Sequence, residues 1–123
     1  MATILVATID SQAFESLSNE ILGEGHEVLW AGDGKEACDL APGAALIFVD
    51  AALPIFDGFE VATILRGDPD VPRDLPILLL SDDAVEPHQF ERAGFTGQFR
   101  KSHSYCDVRE VLSYHLRATV APE

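Results

Sequence analysis

The stretch LIFVDAALPIFDG, residues 46–58, decides the fold of this chain. An apolar run leads directly into an aspartate, Asp50, and a proline-containing turn with Asp57 and Gly58 follows. A short run that is apolar on both faces is typical of a strand in a parallel sheet covered on both sides. We therefore predict a buried strand over Ala45–Val49, with a carboxylate at its carboxyl end that needs an explanation.

Strand and helix patterns alternate along the rest of the chain. The predicted strands are Thr3–Ala7, His26–Ala31, Ala45–Val49, Ile77–Leu80 and Gln98–Arg100. Each strand is followed by a helix pattern, and the helix starts are marked by Ser11, Asp33, Gly58, Pro87 and the segment Ser104–Asp107. Strands that alternate with helices predict an α/β fold, a doubly wound parallel sheet with right-handed crossovers.

Length and composition indicate one globular domain. The chain has 123 residues, and we predict a single domain over residues 1–123 with a core at about 3–117. The net charge of -13 argues against direct binding to nucleic acid or to an anionic membrane surface. No basic segment precedes the apolar N-terminal stretch and no apolar run is long enough to span a bilayer, so we predict a cytoplasmic protein.

Polar side chains stand at the carboxyl ends of the predicted strands, where doubly wound folds bind their ligands. These residues are Asp10, Asp50, Ser81 and Lys101, and we expect them to converge on one rim. A carboxylate can attack a phosphoryl group, and a hard cation such as Mg²⁺ can neutralise the developing charge. A lysine and a hydroxyl can contact the phosphoryl oxygens.

The chain resembles the receiver domain of bacterial two-component response regulators over essentially its whole length. The matching segments are AGDGKEA (31–37), LIFVDAALPIFDG (46–58), LPILLLS (75–81) and AGFTGQFRK (93–101). The most specific element is the aspartate followed by LPxxDG. The resemblance implies a flavodoxin-like, five-stranded parallel sheet in the order 2-1-3-4-5, with helices on both faces.

The resemblance also implies roles for individual residues. By the resemblance, Asp50 would be the phosphoacceptor, Ser81 the switch hydroxyl and Lys101 the residue that contacts the phosphoryl group. The backbone carbonyl of Ala52 would be a Mg²⁺ ligand together with Asp50. A histidine kinase or a histidine phosphotransfer protein would donate the phosphoryl group. The face formed by the fourth helix, fifth strand and fifth helix would relay the signal to an effector protein, and no enzyme activity beyond self-phosphorylation and self-dephosphorylation is expected.

The metal site departs from the family pattern. The family usually ends its first strand with two adjacent acids that hold Mg²⁺, and Thr8 and Ile9 occupy those positions here. Thr8 offers only a hydroxyl as a ligand, and Asp10 is the remaining acid. We expect weaker Mg²⁺ binding, with Ile9 packed into the core and Asp10 turned toward Asp50; a capping role at the first helix is the alternative for Asp10.

The switch region also departs from the family. Gln98 replaces the aromatic switch residue, and Ser102 replaces the proline that usually follows the lysine. The segment Ser81–Gly94 is about two residues shorter than usual, which predicts a short or irregular fourth helix. We expect Gln98 to be partly exposed and not to act as a rotameric gate.

Other functions and plainer roles remain open at this point. Asp50 and Ser81 can be local capping groups, and Lys101 can be a solvated loop lysine. The same fold can act as a pseudo-receiver, a phosphorylation-independent interaction module, and the missing acid pair and aromatic residue favour that alternative. An aspartyl-nucleophile enzyme of the haloacid dehalogenase type is disfavoured, because it requires an aspartate where this chain has Ala52.

Overall fold

The computed structural model describes residues 2–82, 85–99 and 107–119. It contains one parallel sheet in the order β2-β1-β3-β4-β5. The strands are β1 (Thr3–Ala7), β2 (Glu27–Ala31), β3 (Leu46–Asp50), β4 (Ile77–Leu80) and β5 (Gly97–Phe99). The helices are α1 (Ser11–Gly23), α2 (Gly34–Leu40), α3 (Gly58–Arg66), α4 (Pro87–Ala93) and α5 (Asp107–Thr119), with a short 3-10 turn at Ala41–Gly43. The predicted fold class and strand order are confirmed.

The sheet separates two apolar layers, because successive side chains of a strand point to opposite faces. In β3, Ile47 and Val49 join one layer, whereas Leu46 and Phe48 join the other. The first layer includes buried residues of α2, α3 and α4, and the second includes buried residues of α1 and α5. Both faces of the central strands are therefore covered, as the continuous apolar sequence of β3 predicted.

The element boundaries differ from the prediction by about one residue in places. Strand β2 begins at Glu27 and not at His26, and β3 continues through Asp50. Strand β5 begins at Gly97, one residue before the predicted start. Helix α1 is capped by Asp10 and not by the predicted Ser11, because the Asp10 carboxylate accepts hydrogen bonds from the backbone of the first turn.

Helix α4 is short, as the shortened segment predicted. It has 7 residues, begins at Pro87 and is capped by the Glu86 carboxylate. Gly94 ends it with a φ of 89°, in the left-handed region that favours glycine. No helix in the part of the chain that the structure describes is long and apolar enough to cross a membrane.

Candidate functional site

Asp50 is the last residue of the central strand β3, and its side chain is buried, with a residue exposure of 3%. Its Oδ1 atom accepts a hydrogen bond of 3.1 Å from the backbone N–H of Ala52. Its Oδ2 atom accepts a hydrogen bond of 2.9 Å from the Thr8 hydroxyl. A buried carboxylate needs such donors to offset the water it has lost, and these bonds fix its orientation at the carboxyl edge of the sheet.

Thr8 follows β1 directly and is fully buried, with 0% exposure. Its hydroxyl accepts a hydrogen bond of 3.0 Å from the Asp10 N–H while it donates to Asp50. Its backbone N–H donates to the Ala31 carbonyl at 3.1 Å, and its carbonyl accepts a bond of 2.9 Å from the Trp30 indole Nε1. Thr8 is thus held from both the β2 side and the β3 side.

Asp10 has the alternative role expected of it, whereas Ile9 differs from the prediction. The Oδ1 atom of Asp10 accepts bonds from the N–H groups of Gln12 and Ala13 at 3.0 and 3.2 Å, so its carboxylate caps α1. Ile9 is 62% exposed, and the prediction that it packs into the core is wrong. The cause is the turn after β1, in which the Asp10 N–H binds back to the Thr8 hydroxyl and the intervening side chain faces outward.

The groups beside Asp50 do not match the ligands that a resident Mg²⁺ ion requires. Mg²⁺ requires near-octahedral oxygen ligands and usually carboxylate charge. The Thr8 hydroxyl donates its proton to Asp50 Oδ2, so it adds no negative charge at a position where the family pattern has an acid. Among the described residues, no cluster of three or more acidic, histidine or cysteine side chains is placed to hold a metal. Of the predicted ligands, Asp10 caps α1 through Oδ1 and Thr8 donates its hydroxyl proton to Asp50.

Ser81 lies at the same edge of the sheet as Asp50. Asp50 pairs with Leu80 in the β3–β4 register, and Ser81 is the residue that follows Leu80 at the carboxyl end of β4. Ser81 is 7% exposed, and its carbonyl accepts a hydrogen bond of 2.9 Å from the Nε2 atom of Gln98. Gln98 itself is exposed, as predicted. Lys101 and Ser102 lie outside the described residues.

Glycine is required beside Asp50 by close backbone packing. A Cβ atom on Gly58 would lie 2.5 Å from the Asp50 carbonyl oxygen, so the first turn of α3 can pass over the end of β3 only without a side chain. The Gly58 N–H donates to the Ala51 carbonyl at 3.1 Å. Asp57 forms a capping box with Glu60 at the start of α3. Asp57-Gly58 is a turn signal in the sequence, but no sequence pattern reveals the contact of Gly58 with the Asp50 carbonyl.

The loop between β3 and α3 contains a second unusual feature. Ile55 has a φ of 71°, in the left-handed region where a β-branched residue is strained. Its side chain is 65% exposed. The loop before α3 is also close to α2, because the Gly34 N–H donates to the Pro54 carbonyl at 3.0 Å and a Cβ on Gly34 would overlap Phe56. The loop that follows Asp50 is therefore tightly constrained.

Comparison with known proteins agrees with this fold. No family model matches the chain. The response regulator MprA of Mycolicibacterium vanbaalenii is 40% identical over 82 residues, which cover 63% of this chain and 33% of that protein. This chain thus spans about a third of the length of the curated relatives it matches.

Solved structures match almost the whole chain. The chemotaxis response regulator CheY4 of Vibrio cholerae has a TM-score of 0.83 and 26% identity, covering 94% of this chain and 98% of that one. The receiver domain of the sensor histidine kinase PA1611 from Pseudomonas aeruginosa, with magnesium coordinated in its active-site cleft, has a TM-score of 0.78 and 20% identity, with 94% and 98% coverage. The fold is that of solved receiver domains, and the sequence is similar to response regulators. Together these likenesses support a receiver domain.

Proposed function

We propose that this receiver domain accepts a phosphoryl group on Asp50 from a histidine kinase or a histidine phosphotransfer protein. The observation that supports the proposal is the placement of Asp50. Its carboxylate lies at the carboxyl end of the central strand, and separate donors, Thr8 and Ala52, hold its two oxygens. A nucleophile that is already oriented loses less rotational freedom when it reacts.

In the proposed reaction, one Asp50 carboxylate oxygen attacks the phosphorus of a phosphohistidine. The phosphorus–nitrogen bond breaks, its electron pair returns to the imidazole, and an acyl phosphate forms on Asp50. The Ala52 N–H and the Thr8 hydroxyl are dipoles that face the reacting carboxylate. By the family resemblance, Lys101 would contribute a positive charge to the phosphoryl oxygens.

The signal would leave through the loop that follows β4. Ser81 begins this loop, and its carbonyl is bound by Gln98 of β5. A new contact between the phosphoryl group and the Ser81 hydroxyl would pull on a segment that is tied to β5. The proposed listener is an effector protein that contacts the surface of α4, β5 and α5. Since Gln98 has no ring, the transmission does not use an aromatic gate.

A second candidate is a phosphorylation-independent interaction module. The hydrogen bond between the Thr8 hydroxyl and Asp50 Oδ2 favours it, because a neutral donor occupies the place where the family resemblance expects an acid that helps to hold Mg²⁺. The exposed aliphatic side chain of Ile9 stands at the other acid position. In this case the effector would recognise the resting surface of the domain.

A phosphoryl mimic distinguishes the two candidates. Beryllofluoride is added to the wild-type domain with and without Mg²⁺, and backbone amide shifts are followed by NMR. The proposed function predicts shifts at Asp50, Ala52 and Ser81 that extend to Gln98, and Asp50→Asn should abolish them. Unchanged spectra under both conditions, with the fold intact, would favour the interaction module.

A further inference from the structure

Thr8 lies beside Asp50 because their strands are adjacent. Ala7 pairs with Val49 in the β1–β3 register, so the residues that follow each of them are neighbours at the carboxyl edge. The Thr8 hydroxyl and Asp50 Oδ2 are 2.9 Å apart, and the bond is buried. The hydroxyl is therefore part of the carboxylate site and does not face solvent.

The position of Thr8 is fixed by contacts on its other side. Its carbonyl accepts the bond from the Trp30 indole at 2.9 Å, and the Trp30 ring stacks on Phe14 with centroids 4.5 Å apart. Its hydroxyl oxygen accepts the Asp10 N–H, so the hydroxyl proton is directed to Asp50. A chain of contacts consequently joins Asp50, through Thr8, to the indole of Trp30.

We propose that Thr8 is a positioning residue whose hydroxyl replaces a cation as the partner of Asp50 Oδ2. A hydroxyl that donates a directed hydrogen bond can fix the orientation of a carboxylate without any metal. It supplies no negative charge to attract Mg²⁺. The resting carboxylate is thus held by Thr8, whether or not Asp50 is later phosphorylated.

The same arrangement makes Trp30 a reporter of the carboxylate. Trp30 is the only tryptophan of the chain, and its indole N–H is bound to the residue that positions Asp50. A change at the Thr8 hydroxyl should therefore alter the fluorescence of this indole. This readout requires neither a kinase nor a phosphoryl donor, so it is independent of the proposed function.

The test compares three variants with the wild-type domain. Thr8→Val removes the hydroxyl and keeps the shape, Thr8→Ser keeps the hydroxyl, and the double variant Thr8→Asp with Ile9→Asp restores an acid pair. Tryptophan emission and the amide shift of Ala52 are measured first without metal. Each protein is then titrated with MgCl₂, and circular dichroism establishes that it is folded.

The expected results distinguish the effect of the Thr8 hydroxyl from the effect of the side-chain shape. Thr8→Val should move the Ala52 amide resonance and change the Trp30 emission, whereas Thr8→Ser should leave both near the wild-type values. The acid-pair variant should bind Mg²⁺ roughly 10- to 100-fold more tightly than the wild type, the size of effect typical of residues that support metal ligands.

Two results would overturn the inference. One is wild-type Mg²⁺ binding as tight as that of the acid-pair variant. The other is a folded Thr8→Val protein with unchanged Ala52 shift and Trp30 emission. If Thr8→Val does not fold, the comparison of wild type with the acid-pair variant still decides, because equal affinities would contradict the inference and a large difference would support it. A failure of Asp50 to accept phosphate would leave these readouts unaffected.

Discussion

The side-chain Nε2 atom of Gln98 donates a hydrogen bond of 2.9 Å to the backbone carbonyl of Ser81. The bond ties β5 to the first residue after β4, at the edge of the sheet that carries Asp50. An amide side chain therefore stabilises this loop at the position where the family resemblance expects a mobile aromatic ring. The consequence is a loop that is held in place in the resting state.

We expect the variant Gln98→Ala to loosen this loop. Loss of one partly exposed hydrogen bond should lower the free energy of unfolding by about 0.5–1.5 kcal/mol and increase amide hydrogen exchange at Asp82. Gln98→Glu keeps the size of the side chain but cannot donate through a charged carboxylate, so it should resemble Gln98→Ala. Wild-type stability and exchange in both variants would show that the bond does not hold the loop.

Gln98 is expected to have no role as a rotameric gate. Loss of effector binding in Gln98→Ala, with phosphorylation intact, would contradict this expectation.

Gly58→Ala should disturb the Asp50 site directly. The added Cβ would lie 2.5 Å from the Asp50 carbonyl oxygen, so α3 or the end of β3 must shift. We expect a loss of about 1–3 kcal/mol in the free energy of unfolding, measured by urea denaturation.

Gly67→Ala is the matched control for this prediction. Gly67 follows the same helix at a φ of -93°, and the nearest atom to an added Cβ is 3.7 Å away. Alanine there should be neutral or should stabilise the domain by up to about 1 kcal/mol. Equal losses at Gly58 and Gly67 would show that the contact with the Asp50 carbonyl is not the cause.

Ile55→Asn should stabilise the domain. Ile55 has a φ of 71°, which is costly for a β-branched residue and common for asparagine. Because the side chain is 65% exposed, little apolar burial is lost. We expect a gain of up to about 1 kcal/mol in the free energy of unfolding. Ile64→Asn, in the regular helix α3 at 40% exposure, should not stabilise the domain. A loss of stability in Ile55→Asn would indicate that contacts of the Ile55 side chain stabilise the domain by more than its backbone conformation costs.

Asp10 is expected to act as a helix cap and not as a metal ligand. Asp10→Ala should lower the free energy of unfolding by about 1 kcal/mol, whereas Asp10→Asn should be close to neutral because asparagine caps helices well. The Mg²⁺ affinity, measured by titration, should be the same in Asp10→Asn as in the wild type. A clear fall in Mg²⁺ affinity in Asp10→Asn would restore Asp10 as a ligand, and tight binding that survives the change would point to ligands not yet assigned.

The buried central strands and the place of Asp50 were predictable from the sequence, whereas the order of the strands came from the family resemblance. Residues 46–49 and Ile77–Leu80 are apolar throughout, and only strands covered on both sides suit such runs. A polar residue that ends such a strand must lie at the rim, because the interior would bury it without donors. Asp50 and Ser81 both lie at the carboxyl edge of the sheet, as expected for polar residues that end buried strands.

The partners of Asp50 were not predictable in the same way. Thr8 is buried and Ile9 is exposed because the chain turns immediately after β1. The hydrogen bond from the Asp10 N–H to the Thr8 hydroxyl stabilises that turn. Strand alternation alone cannot give the residue at which a strand ends. The bond between Trp30 and Thr8 joins positions in different strands, and no local pattern in the sequence marks it.

The left-handed backbone conformation of Ile55 was not predictable from the sequence either. Proline at position 54 signals a turn, but the turn type depends on the close packing of this loop against Gly34. Isoleucine is not a residue that indicates a left-handed conformation. Its presence shows that the surrounding contacts determine the backbone there more strongly than the local preference of the residue.

Intact mass after incubation with acetyl phosphate tests the central claim, phosphoryl acceptance by Asp50, most directly. The wild-type domain should gain the mass of a single phosphoryl group, and Asp50→Asn should gain none under the same conditions. Added Mg²⁺ should change the yield little if Thr8 has replaced the cation. No mass gain in the wild type, with or without Mg²⁺, or an equal gain in Asp50→Asn, would contradict the account.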